Sequence, residues 1–353
     1  MIRYGPAGIP LSCKGRTLRD GIEDVHNLTL SALEVQMVRP KAVLVAPDEE
    51  LEVGKTIREL TAETGFVVGI DRDGDSVFDP DEPITEEDNL IQMPAGIAGC
   101  FNDLYGLGTM AKRLDVELSI HTPYYMDISS DDELSGTCLE CLRHAGIILN
   151  ALNGEMVVTN VGLYPAGRDR EEVDEEITEN LKMLVRWWKK AKLTPKLGIE
   201  VTGQQDVWGS LDQVLDLCND VKGLMPVLNF PHYHSRNKGS LQQASDFADL
   251  IEQFQPFYKN SSVYTTFSGV EYDADGNERR LTPIKKGDLR FDPLAEALCD
   301  LKPNLTVISS SPLLEHDAMY MQIITERILS KRVAKELKEK KKAEAVATTD
   351  SGE

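Results

Sequence analysis

Nothing in this sequence is apolar for long enough to cross a bilayer, because no run reaches the roughly 18 residues that a spanning helix needs. The opening Met1-Ile-Arg-Tyr-Gly-Pro6 lacks the basic, apolar and small-residue regions of a secretory signal and leads directly into a strand-like run. The expectation is a cytoplasmic protein with no membrane partner. Cysteine is scarce and scattered, at Cys13, Cys100, Cys138, Cys141, Cys218 and Cys299. Cys138 and Cys141 are close, but they lie in a helical pattern with His144 one turn on. No second pair completes a zinc knuckle, so they read as structural positions on a helix. Positive charge is also short: 38 Lys and Arg stand against 59 Asp and Glu, a net charge of −21. A polyanion is repelled by such a chain at long range, which disfavours indiscriminate nucleic-acid binding and leaves a local basic site open. With only 6 histidines in the chain, two of them close together at a strand end carry weight.

What remains is an ordinary globular composition, 41% hydrophobic and 27% charged, in 353 residues. That length allows two domains or one large barrel. The chain repeats strand then helix. Strand-like runs cover residues 2–10, 32–39, 116–125, 156–164, 196–202, 226–230, 262–272 and 305–311. Amphipathic helical patterns follow at 17–30, 101–114, 133–152, 171–192, 211–221, 241–258, 292–301 and from 315 onward. Short Val-, Ile- and Leu-rich strands spaced by helices indicate a parallel sheet, and eight such units close into a (β/α)8 TIM barrel, an α/β fold. A doubly wound open sheet is the alternative, but Gly5-Pro-Ala-Gly8 lacks the spacing of its phosphate-binding turn. The barrel is expected over 1–330, with an insertion at 40–100 after the second strand. Residues 331–353 read as a charged helix extension decaying into a disordered tail. Within the insertion the pattern is strand 42–46, helix 50–65 and strand 66–70.

Active sites of such barrels form at the carboxyl ends of the strands. Read in order, those ends supply His121, Tyr124 and Tyr125; Asn160; Glu200; Asn229, His232 and His234; Thr266; and Ser310. Histidine and carboxylate arriving from three strands suit zinc or manganese held by His121, Glu200 and His232, with Asn229 as a further donor. The same residues serve equally as hydrogen-bonded polar groups closing the barrel mouth. As catalytic groups, Glu200 would act as base with His121 or His232 as partner. Loops at this end carry Lys14, Arg16, Arg168, Arg170, Arg236, Lys238, Arg279, Arg280, Lys285 and Lys286. Cations repeated there point to an anionic small molecule or a nucleic acid at the mouth, or to ordinary solvated loops. Tyr124, Tyr125, Tyr233 and Tyr272 lie beside them and can stack or hydrogen-bond.

These strand ends resemble the endonuclease IV family within the xylose isomerase-like TIM barrels. Arg3-Tyr-Gly-Pro-Ala-Gly-Ile-Pro-Leu looks like the opening of archaeal members. Leu33-Glu-Val-Gln-Met-Val-Arg, Ser119-Ile-His-Thr-Pro-Tyr-Tyr, Phe267-Ser-Gly-Val-Glu-Tyr and Ser311-Pro-Leu-Leu-Glu are similar to its second, third, seventh and eighth strands. The resemblance implies zinc ions that activate water for phosphodiester cleavage beside abasic sites in DNA. His121, Glu200 and His232 match family ligands. Asn160, Asn229, Thr266 and Ser310 stand where the family has His, Asp, His and Glu, which implies fewer ions than the family norm.

Residues 71–82 resemble an EF-hand calcium loop, with Asp71, Asp73, Asp75, Asp79 and Glu82 at positions one, three, five, nine and twelve. Ser76 replaces the turn glycine and Pro80 stands where the exiting helix should begin. An acidic solvated loop is the other reading. Three functions follow: a metal-dependent hydrolase of the endonuclease IV type, a barrel isomerase or epimerase acting on a small sugar-like or phosphorylated substrate with one metal or none, and a non-catalytic binding protein.

Overall fold

The structure, a computed structural model, describes residues 1–350 apart from 39, 61–64, 131–132 and 260, and side chains as far as 340. Eight parallel strands form the barrel: β1 Ile2–Pro6, β2 Ala32–Gln36, β3 Glu117–His121, β4 Met156–Thr159, β5 Lys196–Glu200, β6 Leu224–Asn229, β7 Val263–Phe267 and β8 Leu305–Ser309. Each pairs with its neighbour in the order β1-β8-β7-β6-β5-β4-β3-β2. The seam between β1 and β2 is joined by the parallel bridge Ala7–Glu34 and by the Ser31 amide donating to the Tyr4 carbonyl at 3.0 Å. Gly5 makes this seam possible. A Cβ there would lie 1.7 Å from the Ala32 carbonyl oxygen, so two backbones meet where no side chain fits.

Leu, Ile and Val at the buried faces of the strands and helices join one core that spans the barrel and its helical jacket. The helices start where the sequence offers caps. The Thr17 hydroxyl accepts the Asp20 amide hydrogen and Ser210 accepts that of Gln213, each closed by a reciprocal side chain. The last helix, Glu315–Asp350, packs its first turns on β1 and β8. Of the tail expected to be disordered, residues 351–353 lie outside those described.

Two sequence expectations fail inside the insertion. The helix expected over 50–65 is not built. Turns lead to a single short 3-10 turn, Ile57–Glu59, and residues 61–64 lie outside the description. The insertion is instead an antiparallel sheet in the order Val43–Val45, Asn89–Met93, Phe66–Arg72, Asp75–Val77. It closes over its own small core of Leu60, Val67, Ile70, Ile84 and Leu90. The EF-hand resemblance dissolves with it. Asp73 and Gly74, with φ of 55° and 88°, form a two-residue hairpin turn, and Asp71 pairs with Ser76 across the strands. Asp75 therefore sits on a strand, Asp79 on Lys190 at 2.5 Å, and Glu82 on Arg72 at 2.6 Å. Asp71, Asp73, Asp75, Asp79 and Glu82 do not wrap a common centre. The insertion docks on the barrel through the Trp187 indole, which donates to the Phe78 carbonyl at 2.5 Å, and through Arg143, stacked 3.8 Å over the Phe78 ring.

Candidate functional site

Glu200, His121 and Asn229 end β5, β3 and β6, so strand geometry delivers them to one mouth. The segment after β6 is not the loop that the sequence suggested. A short helix, Phe230–Arg236, starts at once, with Pro231 in its first turn, where a missing N–H costs nothing. Asn229 caps it, its Oδ1 accepting the His232 amide hydrogen at 3.1 Å. The other half of the amide, Nδ2, donates to Glu200 Oε1 at 2.9 Å. Asn229 was expected as a metal donor and is instead spent at both ends as a clamp.

His121 lies against the other oxygen of Glu200, Nε2 to Oε2 3.4 Å, while its Nδ1 donates to the Thr122 carbonyl at 2.8 Å. A carbonyl only accepts, so Nδ1 carries a proton. Burial disfavours an imidazolium here, but the hydrogen bond and charge of Glu200, with the charge of Glu34, outweigh it and lift His121 to about 9. Burial pulls Glu200 the opposite way, yet His121, His232 and Asn229 hold its carboxyl below the ordinary value.

His232 faces two carboxylates. Its Nδ1 donates to the Val201 carbonyl at 2.9 Å and lies 3.9 Å from Glu200 Oε2. Its Nε2 points the other way, 3.3 Å from Glu278 Oε2. The contact sets an imidazole nitrogen against a carboxylate oxygen, two groups able to exchange a proton. Glu278 was not among the expected residues. It rides on a hairpin, Gly269–Tyr272 paired with Glu278–Thr282, that splits the long seventh strand read from the sequence. The hairpin roofs the mouth and is pinned to the loop after β5. The Glu278 amide donates to the Gly203 carbonyl at 2.9 Å, and the Gln205 amide donates to Asn277 Oδ1 at 2.9 Å. The Asp275-Gly276 pair between two strand-like runs was the available signal.

Under this roof lies a cavity of about 290 Å³. Glu278 and His232 line one side; Asn160, Thr202 and Gln204 offer amides and a hydroxyl; Tyr124 and Tyr125 stand at the rim, ring centroids 5.5 Å apart. No Lys or Arg is among the described residues that line it. Asn160 Oδ1, Thr266 Oγ1 and Ser310 Oγ are buried without a hydrogen-bond partner among the described residues, as is Glu278 Oε2 apart from its His232 contact. Buried polar atoms are rarely left so, and a bound molecule or water is their ordinary partner.

The expected basic patch does not face this space. Arg236 donates to Thr202 Oγ1 and the Val207 carbonyl, both at 3.0 Å, bracing the loop after β5. Arg168 pairs with Glu176 and Arg280 with Glu271; Lys285 sits 4.1 Å over the Tyr320 ring. His234 also turns away: its Nδ1 accepts the Leu241 amide hydrogen at 3.2 Å and its Nε2 faces Asp288 at 3.3 Å. Lys238 is exposed on the loop beyond the helix and is not among the residues lining the cavity.

The donors also fall short of the metal cage implied by the resemblance. Glu200 is bonded on both oxygens, Asn229 is consumed as a clamp, and His232 turns its free nitrogen toward Glu278 and away from Glu200. The result is a chain of contacts, His121 to Glu200 at 3.4 Å, Glu200 to His232 at 3.9 Å and His232 to Glu278 at 3.3 Å. Among the described residues no three His, Cys, Asp or Glu side chains are grouped to hold an ion. Deeper in the barrel Glu34 accepts Tyr264 O–H at 2.8 Å and Gln36 Nε2–H at 2.6 Å, and burial pushes its carboxyl up.

A family model described as a xylose isomerase-like TIM barrel matches residues 103–310. An uncharacterised protein of Methanocaldococcus jannaschii is 26% identical over 212 residues, covering 59% of this chain and 76% of its own. Among solved structures, endonuclease IV from Thermus thermophilus superposes with a TM-score of 0.57 at 14% identity, over 93% of this chain and 99% of its own. L-ribulose 3-epimerase gives 0.53 at 13% identity, over 98% of each chain. A D-tagatose 3-epimerase-like protein gives 0.52 at 20%, over 66% of this chain and 85% of its own. At these identities the superpositions speak to the fold and not to the chemistry.

Proposed function

The chain belongs to the xylose isomerase-like TIM-barrel family, and from that premise we propose that it is an enzyme of isomerase or epimerase type acting on a small, uncharged, sugar-like substrate by proton transfer. The observation that carries this reading is the cavity at the barrel mouth, about 290 Å³, where the His232–Glu278 pair, Asp127, amides and tyrosine rings share the lining with Met126, Leu134, Leu163 and Val207 and no cation is among the described lining. At about 30 Å³ per water in the liquid, the space equals about ten waters, the scale of a monosaccharide and the low end of ligand pockets. A hydroxyl-rich molecule satisfies Asn160 Oδ1, which is buried with no partner among the described residues, and a tyrosine rim suits the apolar face of a sugar ring. In this reading Glu278 takes a proton from substrate and His232, 3.3 Å from it, returns one. Glu200, clamped by Asn229 and paired with charged His121, stands behind His232, 3.9 Å from its Nδ1.

Phosphodiester cleavage in duplex DNA is the runner-up, motivated by the ancestry of the strand ends. The engaged arginines and the net charge of −21 count against it. The test is a panel of neutral aldoses and ketoses incubated with the purified protein in D₂O, with NMR reading deuterium uptake at carbon and new isomers. Phosphorylated counterparts and a duplex carrying an abasic site run in parallel. Exchange on at least one neutral sugar, lost in Glu278→Gln and in His232→Gln, is the expected result. Cleavage of the duplex with no exchange on any sugar would overturn the proposal.

A further inference from the structure

The insertion sheet ends differently at its two edges. One edge is Asp75–Val77, which carries Asp75 and Ser76. The other is Val43–Val45, and no strand lies beyond it among the described residues. Val43, Leu44 and Val45 are 48%, 57% and 38% exposed, so neither face of this edge strand is covered. Proteins ordinarily blunt an open edge by keeping it short, as this three-residue strand is, or with a lysine, a proline or a bulge. Residues 42–46 hold no lysine, proline or bulge; the register with Asn89–Met93 is regular, and Pro40 and Pro47 bracket the strand without interrupting it.

We propose that this edge pairs with the same edge of a second copy of the chain, antiparallel about a two-fold axis at Leu44. The sequence Ala42-Val-Leu-Val-Ala46 reads the same in both directions. About that axis Val43 meets the partner's Val45, Ala42 meets the partner's Ala46, and Leu44 meets itself. The flanks choose the orientation. Lys41 precedes the strand, Asp48 and Glu49 follow it, and all three are exposed. Antiparallel apposition sets Lys41 beside the partner's acidic flank, whereas parallel apposition would set like charge against like. The pairing is isologous and closes at two chains, because it consumes the apolar edge of each copy and leaves the two Asp75–Val77 edges outside. The strand is separate from the residues lining the roofed cavity, so the inference stands independently of the proposed reaction.

Light scattering on the full chain in solution should return twice the chain mass. Leu44→Lys sets two ammonium groups on the axis and should halve that mass, with circular dichroism and melting temperature kept. Leu44→Cys provides a second readout. Directly opposed residues of an antiparallel pair have Cα atoms about 4.5–5.5 Å apart, within reach of a disulfide. Mild oxidation should therefore convert this variant, and not the wild-type chain with its own cysteines, to a covalent dimer that a reductant reverses. A wild-type protein of single-chain mass, a Leu44→Lys variant that remains dimeric, or a Leu44→Cys variant that does not cross-link would each overturn the proposal. If Leu44→Lys fails to fold, the cross-link decides.

Discussion

Asn229→Asp tests the account of the buried site most directly. The change swaps Nδ2 for an oxygen at the position that now donates to Glu200 Oε1 at 2.9 Å. Two ionised carboxylates at that distance repel by about 6 kcal/mol at an effective dielectric of about 20. The variant can escape by holding one proton between them. Keeping a carboxyl with an ordinary value near 4 protonated at pH 7 costs about 4 kcal/mol. The positive ring of His121 on the far oxygen offsets part of this, so the expected destabilisation at pH 7 is about 2–4 kcal/mol. The sign with pH follows from proton counting. The variant's folded state binds one proton more than its unfolded chain between about pH 4 and the raised value of the pair, so the penalty grows as pH rises through that window. At pH 5 it should shrink to about 1 kcal/mol. Urea denaturation followed by tryptophan fluorescence at both pH values measures it. Wild-type stability at pH 7 would refute the role of Asn229 as a neutral clamp. Stability restored at pH 7 by added zinc or manganese would refute it differently, by showing that one carboxylate completes a metal cage.

Other perturbations should give equally specific results. His121 is raised to about 9 by its carboxylate neighbours, so its contribution is complete below about pH 6.5 and is lost as pH rises toward 9; denaturation across that range should show the decline, and His121→Gln should flatten it. His144, buried in the helix Glu133–Ala151, is pushed down to about 4, so unfolding should become easier by about 3 kcal/mol as pH falls from 6.5 to 4, and His144→Leu should remove that slope. Gly5→Ala places a Cβ against the Ala32 carbonyl and should cost about 3 kcal/mol or more, with faster amide exchange along β1 and β2. Arg72→Met strips the partner from Asp88, whose carboxyl Arg72 holds down to about 2, and limited proteolysis should then cut the insertion before the barrel.

The barrel was legible because its signal is repeated eight times. Each Val- and Ile-rich run sits between helical patterns, and an error of a few residues at one boundary leaves the others in place. His121, Glu200 and His232 were legible for the same reason, since strand ends are where such a fold gathers its side chains. The features that were misread turn on short-range geometry. Asp73-Gly74 and Asp275-Gly276 are both hairpin turns, but the first lies in a run of aspartates whose spacing also fits a calcium loop, and register across the strands decided between them. Glu278 went unnoticed because its roof was read as an extension of β7. Asn229 was visible as a departure from the family pattern, yet its use as a helix cap depended on a helix, Phe230–Arg236, only 7 residues long and too short to leave a periodic trace. The basic loops misled through composition alone. Arginines near a mouth need not face it when carboxylates and carbonyls closer by use their hydrogens.

One consequence concerns how such a protein changes over time. His232 belongs to the frame, anchored by a strand end and a cap, while its partner carboxylate arrives on a hairpin stitched between β7 and the next helix. The frame and the appended piece occupy separate stretches of the gene and touch through a handful of contacts. Exchanging the hairpin would therefore replace Glu278 at the mouth while leaving all eight strands of the barrel in the sequence.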